Sequence, residues 1–195
     1  MPRPQLHTTD AMLDAARDLL LEDGSWKATM DAIAQASGAP TGSLYHRFGS
    51  RDELIARLWV RAVQRSQASF IAALEDDDPR QAALAAALSI IDFCEEHAAD
   101  AQLLMAFRRE DLVRSLPPGP LAEEVAELNQ PVGRAIADLA RRLYGRRSRT
   151  ALERTLLAVF DLPYGAVRRH LIAGDPLPTS LRGDLTRAVE AVLDR

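Results

Sequence analysis

Apolar residues recur along this chain at spacings of three and four, and no run of alternating β-branched residues suggests a strand. That periodicity predicts an all-α fold, helix packed on helix around a shared core. The punctuation is equally plain. A first helix is expected to open at Thr9 as N-cap, carry Met12, Ala16, Leu19 and Leu20 on one face, and stop before Gly24. Thr29 is expected to cap a short helix holding Met30, Ile33 and Ala34, closed by Ser37-Gly38. A second short helix runs from about Pro40 or Thr41 to Phe48. Ser50 then caps a long helix with Leu54, Leu58, Val63 and Phe70 on its buried face. Asp76-Asp77-Asp78-Pro79 ends it. Further helices are read from about Pro79 to His97, Asp100 to Ser115, Leu121 to Tyr144, Ser148 to Ala173 and Thr179 to the end, about nine in all. Pro131 and Pro163 fall inside helical patterns, where each should bend or interrupt its helix.

The 195 residues carry 24 Lys+Arg against 28 Asp+Glu, a net charge of −4, which argues mildly against non-specific nucleic-acid binding. Any DNA contact must therefore rest on a local concentration of cations. One such window runs from Gly38 to Arg51, with His46, Arg47 and Arg51 and no acid. Five arginines between Arg141 and Arg149 form a second patch, read as a solvated helix end and loop with a DNA or anion site as the alternative. The uncharged run Gln81–Ile91 falls far short of the ~20 apolar residues of a membrane span. The opening MPRPQLHTTD has no apolar core of a secretory signal. Cys94 is the single cysteine, which excludes an internal disulfide and a multi-cysteine zinc site. A cytoplasmic location is expected, with no membrane partner and no cofactor.

Two short helices joined by a tight turn suggest a helix-turn-helix. Ala34, Gly38 and Leu44 supply its spacing: a small residue for close approach, a glycine for the left-handed turn, and a buried anchor. Alone, this triplet also fits an ordinary helical hairpin. The string SGAPTGSLYHRFGSRDEL, Ser37 to Leu54, goes further and closely resembles the recognition-helix segment of the TetR family of bacterial transcriptional repressors. The resemblance covers residues 9 to about 57; later in the chain only the helical organisation and the segment DLPYGAVRRHLIAG, Asp161 to Gly174, look similar.

The resemblance implies DNA-binding roles for Thr29, Thr41, Gly42, Ser43, Tyr45, His46 and Arg51. Gly42 would keep the helix surface low against the duplex, Thr41 and Ser43 would offer short donors, and Tyr45 and His46 would reach further. Arg51 and Thr29 would meet phosphate, while Leu44 and Phe48 point inward as core. Two positions depart from the family pattern. Pro40 stands where a capping residue is usual, and Thr41 where lysine is common.

The resemblance also implies a second, larger domain enclosing an inducer cavity. Its candidate lining residues are Trp59, Val63, Phe93, His97, Leu104, Met105, Phe107 and Tyr164, most of which also read as plain core. Cys94 and His97, three apart on one helical face, are read as core or pocket lining in preference to a metal site or nucleophile. Leu156, Phe160, Val167, Leu171, Leu185, Val189 and Val192 are candidates for a two-fold dimer interface. The whole is read as residues 1–50, a three-helix DNA-binding domain, and residues 51–195, a helical ligand-binding and dimerisation domain. Such a chain would be a non-enzymatic, ligand-responsive repressor. Its partners would be a second copy, a pseudo-palindromic double-stranded operator and an unknown small-molecule effector. The alternative is a helical ligand-binding or dimerisation protein without DNA binding.

Overall fold

The computed structural model describes residues 8–22, 28–146 and 148–194, and all regular structure among them is helical. In chain order the helices are α1 (Thr9–Glu22), α2 (Met30–Ser37), α3 (Thr41–Phe48), α4 (Arg51–Leu74), α5 (Pro79–Glu96), α6 (Ala98–Ala106), α7 (Arg109–Ser115), α8 (Pro120–Glu127), α9 (Gln130–Tyr144), α10 (Arg149–Leu156), α11 (Leu162–Ala173) and α12 (Leu181–Leu193). A π-helical turn, Leu157–Asp161, links α10 to α11. No helix among the described residues is long and apolar enough to cross a membrane.

Two compact units result: the described residues up to Ala62 with Gln102–Ala126, and Val63–Ala101 with those from Glu127 onward. In the first, α1 packs on α2 and α2 on α3. Its core joins Met12, Ala16 and Leu20 to Ile33, Leu44, Phe48, Leu54 and Leu58, all nearly or wholly buried. In the second, α5 is central, touching α9, α11, α12 and the π-helical turn. Ala82, Ala83, Ala86 and Ala87 are fully buried along α5, and their short side chains let neighbouring helices approach closely.

The caps explain most boundaries. Thr29 Oγ1 accepts from the Ala32 amide at 3.2 Å, and Ser50 Oγ accepts from the Glu53 amide at 3.2 Å. Asp78 caps α5 through the amides of Arg80 and Gln81, with Pro79 in the first turn. At α1 the expected cap is displaced by one residue: Thr8 Oγ1, not Thr9, accepts from Ala11 at 3.1 Å. The expected stop at Gly24 lies outside the described residues.

Two helices read as continuous are interrupted. Asp100 to Ser115 breaks where Arg108 turns extended (φ −94°, ψ 137°), dividing α6 from α7. The Leu121–Tyr144 stretch breaks before α9, with Pro131 in the new helix's first turn, where its missing N–H costs nothing. Pro163 is accommodated differently. The preceding turn widens, Leu162 N–H bonds the Leu157 carbonyl, and the chain stays helical.

Candidate nucleic-acid interface

The turn between α2 and α3 is built for close approach of two helices. Gly38 adopts the left-handed conformation (φ 66°) and donates its N–H back into α2, while Ala39 N–H reaches the Ala34 carbonyl at 3.1 Å. Leu44 and Phe48 then seal α3 against the core, as their spacing predicts. At the far end Gly49 (φ 77°) turns the chain, and a Cβ there would meet the Glu53 carboxylate at about 3.0 Å. Ser50 Oγ accepts from the Glu53 amide and donates to the Glu53 carboxylate at 3.4 Å, which caps the start of α4.

With its apolar side committed inward, α3 presents the rest outward. Gly42, Tyr45 (52% exposed) and His46 are exposed; Thr41 and Ser43 are half-buried. A Cβ built on Gly42 would meet nothing within 4 Å, so nothing inside the described protein requires glycine there. Glycine in a helix costs up to about 1 kcal/mol against alanine, a cost no internal contact offsets. Pro40 offers no side-chain cap to the first α3 amides, and α3 carries no acid in its first turn. Both features leave its N-terminal end suited to an anionic partner.

The remaining candidates fall nearby, and each also makes a structural contact. Thr29 is exposed, but its hydroxyl already serves α2 as cap. Arg51 is half-buried and turned back: its Nε donates to the Ala28 carbonyl at 2.7 Å, and Nη1 lies 3.5 Å from Asp52. It braces the segment before α2, a tertiary role its motif position alone did not reveal. Arg61 braces the opposite side, pairing with Asp10 at 3.0 Å and Asp14 at 2.7 Å, and so ties α4 to α1.

The effector candidates divide between the two units. Trp59 is buried and Leu104, Met105 and Phe107 half-buried in the first. Val63 and Phe93 are buried, Tyr164 half-buried and His97 exposed in the second. His97 lies against Phe93 with ring centres 5.5 Å apart, and Tyr164 stacks on Phe160 at 5.7 Å. Cys94 is buried, and burial pushes its thiol up to about 11, so it stays protonated near neutral pH and is a poor nucleophile.

Of the dimer candidates, Val167, Leu185 and Val189 lie within the second unit's own core, and Leu156, Leu171 and Val192 are half-buried. Phe160 is 42% exposed, and Leu157 and Ile172, which were not among the candidates, are exposed as well. The π-helical turn contributes both Leu157 and Phe160, since its extra residue shifts the helix phase.

These features define a helix-turn-helix protein with a second helical unit. The sequence model described as "Bacterial regulatory proteins, tetR family" matches residues 12–58. The HTH-type transcriptional regulator UidR of Escherichia coli (strain K12) is 35% identical over 63 residues, 32% of this chain and 32% of that protein. That match thus spans about a third of the curated relative's length. Among solved structures, PfmR from Thermus thermophilus, a TetR family transcriptional regulator, superposes with TM-score 0.72 at 22% identity, covering 95% of each chain. The fatty acid degradation regulator FadR from Bacillus halodurans gives 0.69 at 15% identity, over 95% of this chain and 98% of that one. The ketosteroid transcriptional regulator KstR2 of Mycobacterium tuberculosis gives 0.68 at 18% identity, over 95% and 93%. Residues 12–58 thus match the tetR family in sequence, and the chain shares its fold with these solved regulators.

Proposed function

We propose that this protein is a dimeric, ligand-responsive transcriptional repressor, acting in the compartment that holds the DNA. In this reading residues 1–50 carry DNA recognition and residues 51–195 effector binding and dimerisation. The carrying observation is the outward surface of α3: Gly42 unexplained by any internal contact, Thr41, Ser43, Tyr45 and His46 around it, and no acid from Gly38 to Arg51. Two such helices from a symmetric dimer would enter successive major grooves of a pseudo-palindromic operator, about one helical turn apart. Exposed Leu157, Phe160 and Ile172, with half-buried Leu156 and Leu171 adjacent to them in sequence, support a second copy as the partner of these side chains.

The effector is proposed as a largely apolar small molecule. The apolar character of Val63, Phe93 and Tyr164 in the second unit supports this, with exposed His97 against Phe93 as a polar neighbour. So do the names of two fold relatives, regulators of fatty acid degradation and of ketosteroids. Such a ligand releases DNA only if it binds the DNA-incompetent state more tightly, and DNA must then weaken ligand binding by the same factor.

A gel shift on the duplex flanking the protein's own coding region tests the reading. Saturable binding that is lost in Tyr45→Ala, with folding and dimerisation intact, supports it. Equal binding by wild type and variant at matched salt, or none by either, would remove it.

A further inference from the structure

The second unit holds a cleft of about 700 Å³ whose lining includes Arg134, Arg141, Arg146, Arg149 and Leu152. None of the effector candidates lines it. Its volume lies within the range of small-molecule sites and far exceeds a single inorganic anion. Arg134, Ala137, Asp138 and Arg141 recur at helical spacing on one face of α9, while Arg149 and Leu152 do the same on α10.

The charge in the cleft is unbalanced. Four arginines share it with Asp138 as the lone acid of the lining, which pairs with Arg141. Arg149 pairs with Glu153 at 2.7 Å, and among the described residues Arg134 meets only the neutral Gln130 amide oxygen, at 3.4 Å. Arg146 makes no ion pair with any described residue. The contrast with Arg142 is instructive. That arginine belongs to the same sequence run but is spent on structure, donating to the carbonyls of Leu74 and Asp77 at 2.8 and 3.1 Å beyond the end of α4. Gathering like charges in a concave wall raises their mutual repulsion, and an anion bound there relieves it.

We infer that this cleft is a binding site for a phosphorylated small molecule with at least two phosphate charges, of the nucleoside diphosphate class, distinct from the proposed apolar effector site. Guanidinium forks match phosphate oxygens in pairs, which favours phosphate over a lone carboxylate. Ala137, Ala140 and Leu152 give the same cleft an apolar wall, against which the uncharged body of such a ligand rests.

The test uses the full chain, with ADP, inorganic pyrophosphate and adenosine titrated by calorimetry and by thermal shift at fixed ionic strength. ADP is expected to bind and raise the melting temperature with concentration, pyrophosphate to do so more weakly, and adenosine not at all. Arg146→Ala combined with Arg141→Ala should weaken ADP at least about tenfold, equivalent to about 1.4 kcal/mol, without lowering the melting temperature of the free protein. Arg146→Glu serves as a second variant with the same expected loss. ADP affinity weaker than about 1 mM, or equal affinity in wild type and variants, overturns the inference. So does competition for these arginines by duplexes of any sequence with no response to ADP, which would make the patch a nucleic-acid surface. Tyr45→Ala should leave ADP binding unchanged, so failure of the DNA-binding reading and failure of this one are separately visible.

Discussion

Replacing Gly42 with alanine should make the protein more stable and a worse DNA binder. A Cβ at this position meets nothing within 4 Å, so the substitution adds no internal clash. Alanine is favoured over glycine by roughly 0.5–1 kcal/mol in a helix, partly by restricting the unfolded chain. For a chain of this length 1 kcal/mol moves the melting temperature by about 2–4 °C, so the expected gain is about 1–4 °C. The same methyl group stands on the exposed surface of α3 proposed to lie nearest the duplex. Losing one close backbone approach there should cost about 1.4 kcal/mol or more of binding, a tenfold rise in Kd. Differential scanning calorimetry and fluorescence anisotropy on a labelled operator, at one salt concentration, read the two effects on one sample. A lower melting temperature would mean that Gly42 has an internal packing role. A higher one with unchanged DNA affinity would mean that this face does not approach a duplex closely.

Further outcomes follow from individual contacts. Arg51→Ala should lower the melting temperature by about 2–4 °C as well as weakening DNA binding, because its bond to the Ala28 carbonyl is lost; thermal melts check this, and an unchanged melting temperature would return Arg51 to a purely phosphate-facing role. Phe160→Asp should leave the monomer folded, since Phe160 is exposed, but raise the dimer dissociation constant at least about tenfold in analytical ultracentrifugation; an unaffected dimer would place the interface elsewhere. Cys94 should resist a thiol reagent at pH 8 in the native state and react on denaturation, as its thiol sits at about 11 against an ordinary 9.0. That raised value also sets a sign: the stabilisation from keeping the thiol neutral is complete below pH 9 and fades as pH rises towards 11.

Much of the N-terminal unit was legible from residue types alone. Thr29, Gly38, Ser50 and the buried pair Leu44 and Phe48 act through local chemistry that spacing exposes. What was hidden depends on partners distant in sequence. Neither the bond from Arg51 to the Ala28 carbonyl nor those from Arg142 to the carbonyls of Leu74 and Asp77 can be read from sequence position. Thr8 and Thr9 are chemically equivalent as caps, so only the backbone decides between them. Val167, Leu185 and Val189 share an apolar pattern with a dimer seam but pack into their own unit. Pattern reports that a face is apolar, not which surface covers it. The widened turn ahead of Pro163, which lifts Leu157 and Phe160 outward, leaves no trace in the 3.6-residue period.

The most direct examination of the central claim is photo-crosslinking from α3. A benzophenone side chain in place of Tyr45, in the full-length protein mixed with the proposed operator duplex, should crosslink to DNA at two symmetric positions about one helical turn apart. The same group in place of exposed Glu96 should not. Crosslinks from position 45 that fall only on protein, or that scatter along the duplex as they do for unrelated DNA, would contradict the account.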